Sequence, residues 1–230
     1  MQYRKHVYVY TIIYIFCILL CNNLYGYIFV ESGIKSYTNS LDDIISRTKY
    51  NNIYYSNDIV TYSHEYTHYV NNYYRQKYIQ QFPNINALYM LHDNICVIRE
   101  PQFTLRFIAD KIPANMRGRN YNLYLIQQTK YWNSQPLYIL DELIAYSNGA
   151  VVGFENNKID RASDSARSAA EFFVYTVILF SYSHDYDLGQ FIIKYYKEYN
   201  YIYKKANCMN MILQPAIIKI LYDDLGMVLD

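Results

Sequence analysis

The chain has 230 residues, with 21 basic and 20 acidic side chains, 52% hydrophobic residues and 18% aromatic residues. A chain of this length and composition can bury one sizeable hydrophobic core, which excludes a largely disordered or low-complexity protein. Its net charge of +1 does not supply the positive field that gathers phosphates, so we expect no nucleic-acid partner.

Residues 1–26 have the three parts of a secretory signal. A basic cluster that contains Arg4 and Lys5 precedes an uncharged stretch at residues 7–21, and Gly26 is a small residue near the expected cleavage site. We therefore predict that residues 1–26 form a signal peptide and that residues 27–230 form a single exported domain, secreted or periplasmic. If the segment is not cleaved, it would instead anchor the protein in a membrane.

Two cysteines remain in the predicted exported domain, Cys96 and Cys208. An oxidising compartment favours one disulfide between them. Burial of two free thiols is the alternative, and the sequence leaves both open.

Capping residues and hydrophobic patterns predict a mostly helical domain. A short helix is expected at residues 40–47, and a long helix at residues 57–80 follows the N-cap sequence Ser56-Asn57-Asp58. Residues 86–99 fit either a hairpin or a helix followed by a strand, and we favour a small sheet. Further helices are predicted at residues 102–111, 121–132, 137–147, 162–182, 187–204 and 209–225. The predicted fold class is therefore α+β, predominantly helical.

The helix predicted at residues 57–80 contains the sequence His64-Glu65-Tyr66-Thr67-His68. Helical residues four apart lie one turn apart on the same face, so His64 and His68 can bind one metal ion. Glu65 then lies beside that ion, where it can take a proton from water and pass it to a leaving amine.

This HExxH sequence and its uncharged, proline-free flanks, residues 61–70, resemble the extended signature of the zincin metalloproteases. The metzincin branch would require a glycine at position 71 and a histidine at position 74, but the chain has Asn71 and Tyr74. The resemblance is therefore to the gluzincin branch, in which a glutamate from a later helix is the third zinc ligand. It implies a zincin-like fold with an active-site helix, a ligand helix and, in this short chain, a reduced sheet.

Glu142 is the best candidate for the third ligand, because it lies in the strongly apolar helix predicted at residues 137–147. Burying its carboxylate without a partner would cost several kcal/mol, and a zinc ion would supply the compensating charge. Asp141 points about 100° away on the helix and could accept the free N–H of His64 or His68. A solvated Asp141-Glu142 pair on the surface is the alternative. The other candidate ligands are Glu171, His92 and Glu100.

Tyr146 lies one turn beyond Glu142, so its phenol could donate a hydrogen bond to the tetrahedral intermediate; a core or surface role is the alternative. His184 and Asp185 could together stabilise an oxyanion, by analogy with thermolysin-like gluzincins, or could lie in a surface loop. Arg119 is interpreted as part of a turn with solvated charges rather than as a carboxylate clamp.

Together these features predict an exported Zn²⁺-dependent peptidase that acts on a peptide or protein substrate. His64, His68 and Glu142 are its predicted metal ligands, and Glu65 and Tyr146 its predicted catalytic residues. The alternative is a non-catalytic exported or membrane-anchored protein-interaction domain, in which the motif is accidental or holds a structural metal. The sequence leaves the oligomeric state and the substrate preference open.

Overall fold

The computed structural model describes residues 28–31, 37–48 and 56–229, and for residues 28–31 it describes the backbone alone. The predicted signal peptide, residues 1–26, lies outside the described residues. No helix in the described part of the chain combines the length and the apolar character needed to cross a lipid bilayer.

The described elements are three strands and nine α-helices, with a 3₁₀ turn and a π-helix after α3. They are β1 (Ile28–Glu31), α1 (Ser40–Ser46), α2 (Ile59–Tyr78), β2 (Ile85–Met90), β3 (Asn94–Arg99), α3 (Leu105–Lys111), the 3₁₀ turn (Ala114–Met116), the π-helix (Tyr121–Gln127), α4 (Thr129–Trp132), α5 (Tyr138–Glu155), α6 (Ile159–Ser183), α7 (Tyr186–Lys205), α8 (Met209–Ile212) and α9 (Pro215–Leu225). The predicted class, α+β and predominantly helical, is confirmed.

The sheet has the strand order β1-β3-β2, and both pairs of strands are antiparallel. Strands β2 and β3 form a hairpin in which Ala87 is opposite Val97, so the preference for a small sheet at residues 86–99 was correct. The turn places His92 and Asp93 at positive φ angles of 62° and 66°, and the backbone N–H of His92 donates to Asp43 Oδ2 at 2.9 Å. Strand β2 packs against α2.

Helices α2, α5 and α6 form the centre of the hydrophobic core. Two glycines on α5 allow its close contact with both neighbours. A Cβ atom added to Gly153 would lie 2.7 Å from Val60 Cγ2 on α2 and 2.8 Å from Ala162 Cβ on α6, and one added to Gly149 would lie 3.0 Å from the Val60 carbonyl oxygen. This close crossing fixes the position of α5 relative to the helix that carries the motif.

The prediction that the helix starting near residue 137 ends at residue 147 was wrong, because α5 continues to Glu155. Gly149 is required for the close approach to α2, and the Asn148 side chain bonds to the Tyr89 carbonyl and the Tyr199 hydroxyl. Contacts with other parts of the fold therefore stabilise both residues inside a helix. The local sequence pattern carries no information about these contacts.

Two other predicted helices are divided. The segment predicted at residues 121–132 is a π-helix followed by the short helix α4, and the segment at residues 209–225 is divided into α8 and α9 before Pro215. Proline at the first position of a helix lacks the N–H that would continue an earlier one, which explains the second division. Cys96 and Cys208 are both buried and form no disulfide with each other, so the disulfide alternative is not observed.

Candidate metal centre

Helix α2 presents His64 and His68 one turn apart on the face that meets α5. Their Nε2 atoms lie 3.1 Å apart. Glu142 enters from α5, and its Oε2 atom lies 3.7 Å from the Nε2 atom of each histidine. The predicted ligands are thus brought together, and the three residues form a group that could hold a metal ion.

The spacing of these atoms fits a tetrahedral ion. Metal–ligand bonds of about 2.05 Å place tetrahedral ligand atoms about 3.3 Å apart, close to the 3.1 Å and 3.7 Å separations observed here. Glu142 is only 3% exposed, and its Oε2 atom has no hydrogen-bond partner among the described residues. Leaving such an atom unpaired is costly, and a bound cation would remove that cost.

A series of hydrogen bonds holds the His68 ring on its Nδ1 side. Its Nδ1 atom lies 2.8 Å from Asp141 Oδ2, as expected for one of the two histidines. The side chain of Asn71 donates to Asp141 Oδ1 at 2.5 Å and accepts from the backbone N–H of Tyr89 at 2.6 Å. The metal group is therefore connected through Asp141 and Asn71 to the sheet, which orients the His68 ring.

Burial and mutual charge set the protonation of the group when no metal is bound. Burial alone would lower the pKa of His68, but the carboxylates of Asp141 and Glu142 raise this pKa to about 10. Burial, together with the charge of His68, lowers the pKa of His64 well below its usual value. Burial raises the pKa of Glu142 to about 7. Without a metal ion, a proton on His68 therefore supplies part of the positive charge that a bound cation would place beside Asp141 and Glu142.

Two clefts meet at this group. The metal cleft, about 500 Å³ in volume, is bordered by the three candidate ligands, by Asp141 and by Arg75. The side cleft, about 320 Å³, lies beyond it and is lined by residues that include Tyr146, Arg119, Arg161, Asp164 and Ser168. His64, Glu65 and Tyr124 line both clefts, so the carboxylate of the predicted base stands where the two clefts meet.

Tyr146 packs against the metal group but faces the side cleft. Its ring centroid lies 4.3 Å from that of His64, and its hydroxyl oxygen lies 2.7 Å from that of Tyr124. Tyr124 comes from the π-helix and lines both clefts. Burial raises the pKa of both phenols, so both are protonated donors at neutral pH. The two tyrosines form a hydrogen-bonded pair in which Tyr124 is the member that lines the metal cleft.

The other candidate ligands have different roles. Glu171 is buried, and its carboxylate accepts hydrogen bonds from the Asn120 backbone at 3.0 Å and from the Tyr175 hydroxyl at 2.5 Å. It thereby holds the start of the π-helix. Glu100 accepts from the backbone N–H of Leu137 at 3.0 Å, immediately before α5. Neither belongs to the metal group.

The remaining candidates lie away from the metal group. His92 is in the β2–β3 turn, and His184 is the residue that ends α6, with a φ of 47°. Neither lines the two clefts described above. Arg119 does line the side cleft, where its guanidinium donates to the Asp164 carbonyl at 2.8 Å and to Ser168 Oγ at 2.9 Å.

Three residues of the site were not selected from the sequence: Asn71, Tyr124 and Arg75. Asn71 and Arg75 lie three and seven residues after His68, so the same helical spacing that relates the two histidines would have placed them on this face. Tyr124 had no such signal, because the chain has 31 tyrosines and its position depends on the π-helix.

Comparison of the chain with models of protein families, with curated proteins and with solved structures found no match. The function is therefore inferred from the chemistry of this site.

Proposed function

We propose that the protein is an exported zinc-dependent peptidase of the gluzincin type. The observation that supports this most directly is the convergence of His64 and His68 with Glu142, from a separate helix, beside an open cleft that Glu65 also lines. Two imidazoles and one carboxylate are a donor set of catalytic zinc sites, which leave a fourth position for water or substrate. This donor set is the reason for proposing zinc rather than a harder cation.

The chemistry follows from the positions of the side chains. When bound, zinc would supply Lewis-acid polarisation of the scissile carbonyl and of the attacking water. Glu65 would accept a proton from that water and donate it to the leaving amine. Asp141 would hold the Nδ1 proton of His68, so that the Nε2 lone pair stays directed at the metal position. The Tyr124–Tyr146 pair would donate a hydrogen bond to the developing oxyanion.

The shape of the site favours cleavage within a chain. The metal cleft and the side cleft meet at Glu65, so a substrate can extend in both directions from the reacting bond. A pocket closed on one side would accept only a terminal residue. We therefore propose an endopeptidase.

The test compares wild-type protein with the Glu65→Gln variant and with a control, Glu198→Gln, whose side chain is exposed on α7. Each protein is assayed for zinc content by elemental analysis and for hydrolysis of an unfolded, fluorescein-labelled protein. We expect Glu65→Gln to keep one zinc per chain and to lose at least about 100-fold in kcat, because it cannot transfer the proton. The control should behave like the wild type.

Two results would contradict the proposal. Equal hydrolysis by wild type and Glu65→Gln would remove Glu65 from the mechanism. A zinc-loaded wild-type protein that hydrolyses no unfolded substrate would support the alternative of a non-catalytic domain with a structural metal.

A further inference from the structure

The metal cleft contains a single arginine or lysine among the described residues, Arg75. It lies on α2 seven residues after His68, which is two helical turns, or about 10 Å along the helix axis. The acidic residues of this cleft, Glu65, Asp141 and Glu142, are all at its metal end. The cleft therefore has an acidic, metal-binding end and a cationic end.

The charge of Arg75 is not neutralised by a direct contact in the described part of the chain. It forms no ion pair there, unlike Arg119 and Arg161 of the side cleft, which pair with Asp164 and Asp58 respectively. Its Nε atom is buried and has no hydrogen-bond partner among the described residues. Glu100 is near enough for the charge of Arg75 to affect it, but its carboxylate is bonded to the backbone N–H of Leu137. Arg75 thus has donors available for a ligand.

The edge of the sheet has few free backbone N–H groups that could bind a substrate instead of Arg75. Strand β2 is an edge strand, but the backbone N–H of Tyr89 is bonded to Asn71 and that of Leu91 to the Tyr199 hydroxyl. A substrate strand therefore cannot use these N–H groups without displacing the side chains that occupy them. Recognition in this cleft is left mainly to side chains, and Arg75 is the strongest donor among them.

We propose that Arg75 binds a carboxylate of the substrate about three residues from the cleaved bond. An extended peptide advances about 3.3 Å per residue, so three residues span the ~10 Å between the metal end and Arg75. A guanidinium binds a carboxylate through two parallel hydrogen bonds, which makes it selective for this group. The carboxylate belongs either to an acidic side chain or to the C-terminus of the substrate. This inference rests on the proposed peptidase function, because that function supplies the bound peptide.

The experiment measures binding rather than turnover. The zinc-loaded Glu65→Gln variant is titrated by calorimetry with octapeptides of alanine and serine, blocked at both ends, that carry one glutamate or one glutamine at each position in turn. A second set has a free C-terminal carboxylate and no glutamate. The same titrations are made after adding Arg75→Gln, Arg75→Lys or the control Lys77→Gln, which removes an exposed cation from the same helix.

We expect glutamate at one position, or the free C-terminus, to tighten binding about tenfold or more over its neutral counterpart. This preference should disappear with Arg75→Gln, weaken with Arg75→Lys and persist with Lys77→Gln. Which peptide set shows the preference tells an acidic side chain from a chain terminus. Circular dichroism establishes that each variant is folded.

Retention of the glutamate preference by a folded Arg75→Gln variant would overturn the inference, and so would the absence of any preference in the parent protein. Both results leave the peptidase proposal standing, because that proposal is judged by zinc content and by the hydrolysis assay. A parent protein that binds neither zinc nor any peptide would overturn both.

Discussion

The Nδ1 atom of His68 lies 2.8 Å from Asp141 Oδ2, while Oε2 of the adjacent Glu142 lies 3.7 Å from Nε2 of the same ring. Two consecutive residues of α5 therefore contact opposite nitrogens of one imidazole. In a neutral His68, a proton on Nδ1 that is donated to Asp141 would leave the Nε2 lone pair facing the position that a metal ion would occupy.

Replacing Asp141 should weaken metal binding without removing a ligand. In Asp141→Asn the charge beside His68 is lost, and we expect zinc affinity to fall about 10-fold to 100-fold. Competition with a chromophoric chelator measures the change. Asp110→Asn, which alters an exposed residue on α3, is the control, and unchanged affinity in Asp141→Asn would show that this hydrogen bond does not support the site.

Loss of the Tyr124 hydroxyl should reduce activity more than loss of the Tyr146 hydroxyl. Tyr124 lines the metal cleft and Tyr146 does not, so Tyr124→Phe should reduce kcat by about 100-fold with little change in zinc content. Tyr146→Phe should have a smaller effect, because Tyr146 acts by holding the Tyr124 hydroxyl at 2.7 Å. Steady-state kinetics test this order, with exposed Tyr131→Phe as the control. A larger loss in Tyr146→Phe would restore Tyr146 as the direct donor.

Glu100 should make the stability of the metal-free protein depend on pH. Burial raises the pKa of Glu100 from 4.5 to about 7, so between these values the folded state binds more protons than the unfolded state. The contribution of Glu100 to the free energy of unfolding therefore decreases as pH rises through this range. Glu100→Gln keeps an acceptor for Leu137, and we expect it to match the wild type at pH 4 and to exceed it by about 1–3 kcal/mol at pH 8.

Urea denaturation in the presence of a chelator measures this difference. The exposed control Glu198→Gln should differ from the wild type by the same amount at both pH values. A Glu100→Gln variant whose advantage does not grow with pH would show that Glu100 is already charged in the folded protein at no cost.

Gly153 should be required for the close contact of α5 with α2 and α6. A Cβ atom there would lie 2.7 Å from Val60 Cγ2 and 2.8 Å from Ala162 Cβ. Alanine favours a helix by about 1 kcal/mol, but overpacking costs about 1–3 kcal/mol, so we expect Gly153→Ala to lower the free energy of unfolding by about 1 kcal/mol. Zinc affinity should fall with it, because α2 and α5 both carry ligands.

Chemical denaturation and chelator competition give the two measurements for Gly153→Ala. Lys197→Ala, at an exposed position of α7, is the control for a change to alanine within a helix that causes no overpacking. An increase in stability in Gly153→Ala, with unchanged zinc affinity, would show that the crossing tolerates a side chain.

Much of the secondary structure could be predicted because its causes are local. The start of α2 follows from Asp58, whose side chain accepts from the backbone N–H of Val60 at 3.2 Å, and that of α7 from Asp185, which accepts from Leu188 at 2.9 Å. The end of α5 could not be predicted in this way. Gly149 is a helix-ending residue by local criteria, and only its contact with α2 accounts for its position inside a helix.

In the candidate site, too, some features follow from the local sequence and others depend on tertiary packing. The sequence by itself determined that His64 and His68 share a helix face with Glu65 beside them, because helical periodicity is a property of the local chain. The sequence also offered several acidic residues as the third ligand, and Glu100, Glu142 and Glu171 are in fact all buried. Only the tertiary structure brought Glu142 to the two imidazoles, because the position of its carboxylate depends on how closely α5 packs against α2, which is a contact between residues far apart in the chain.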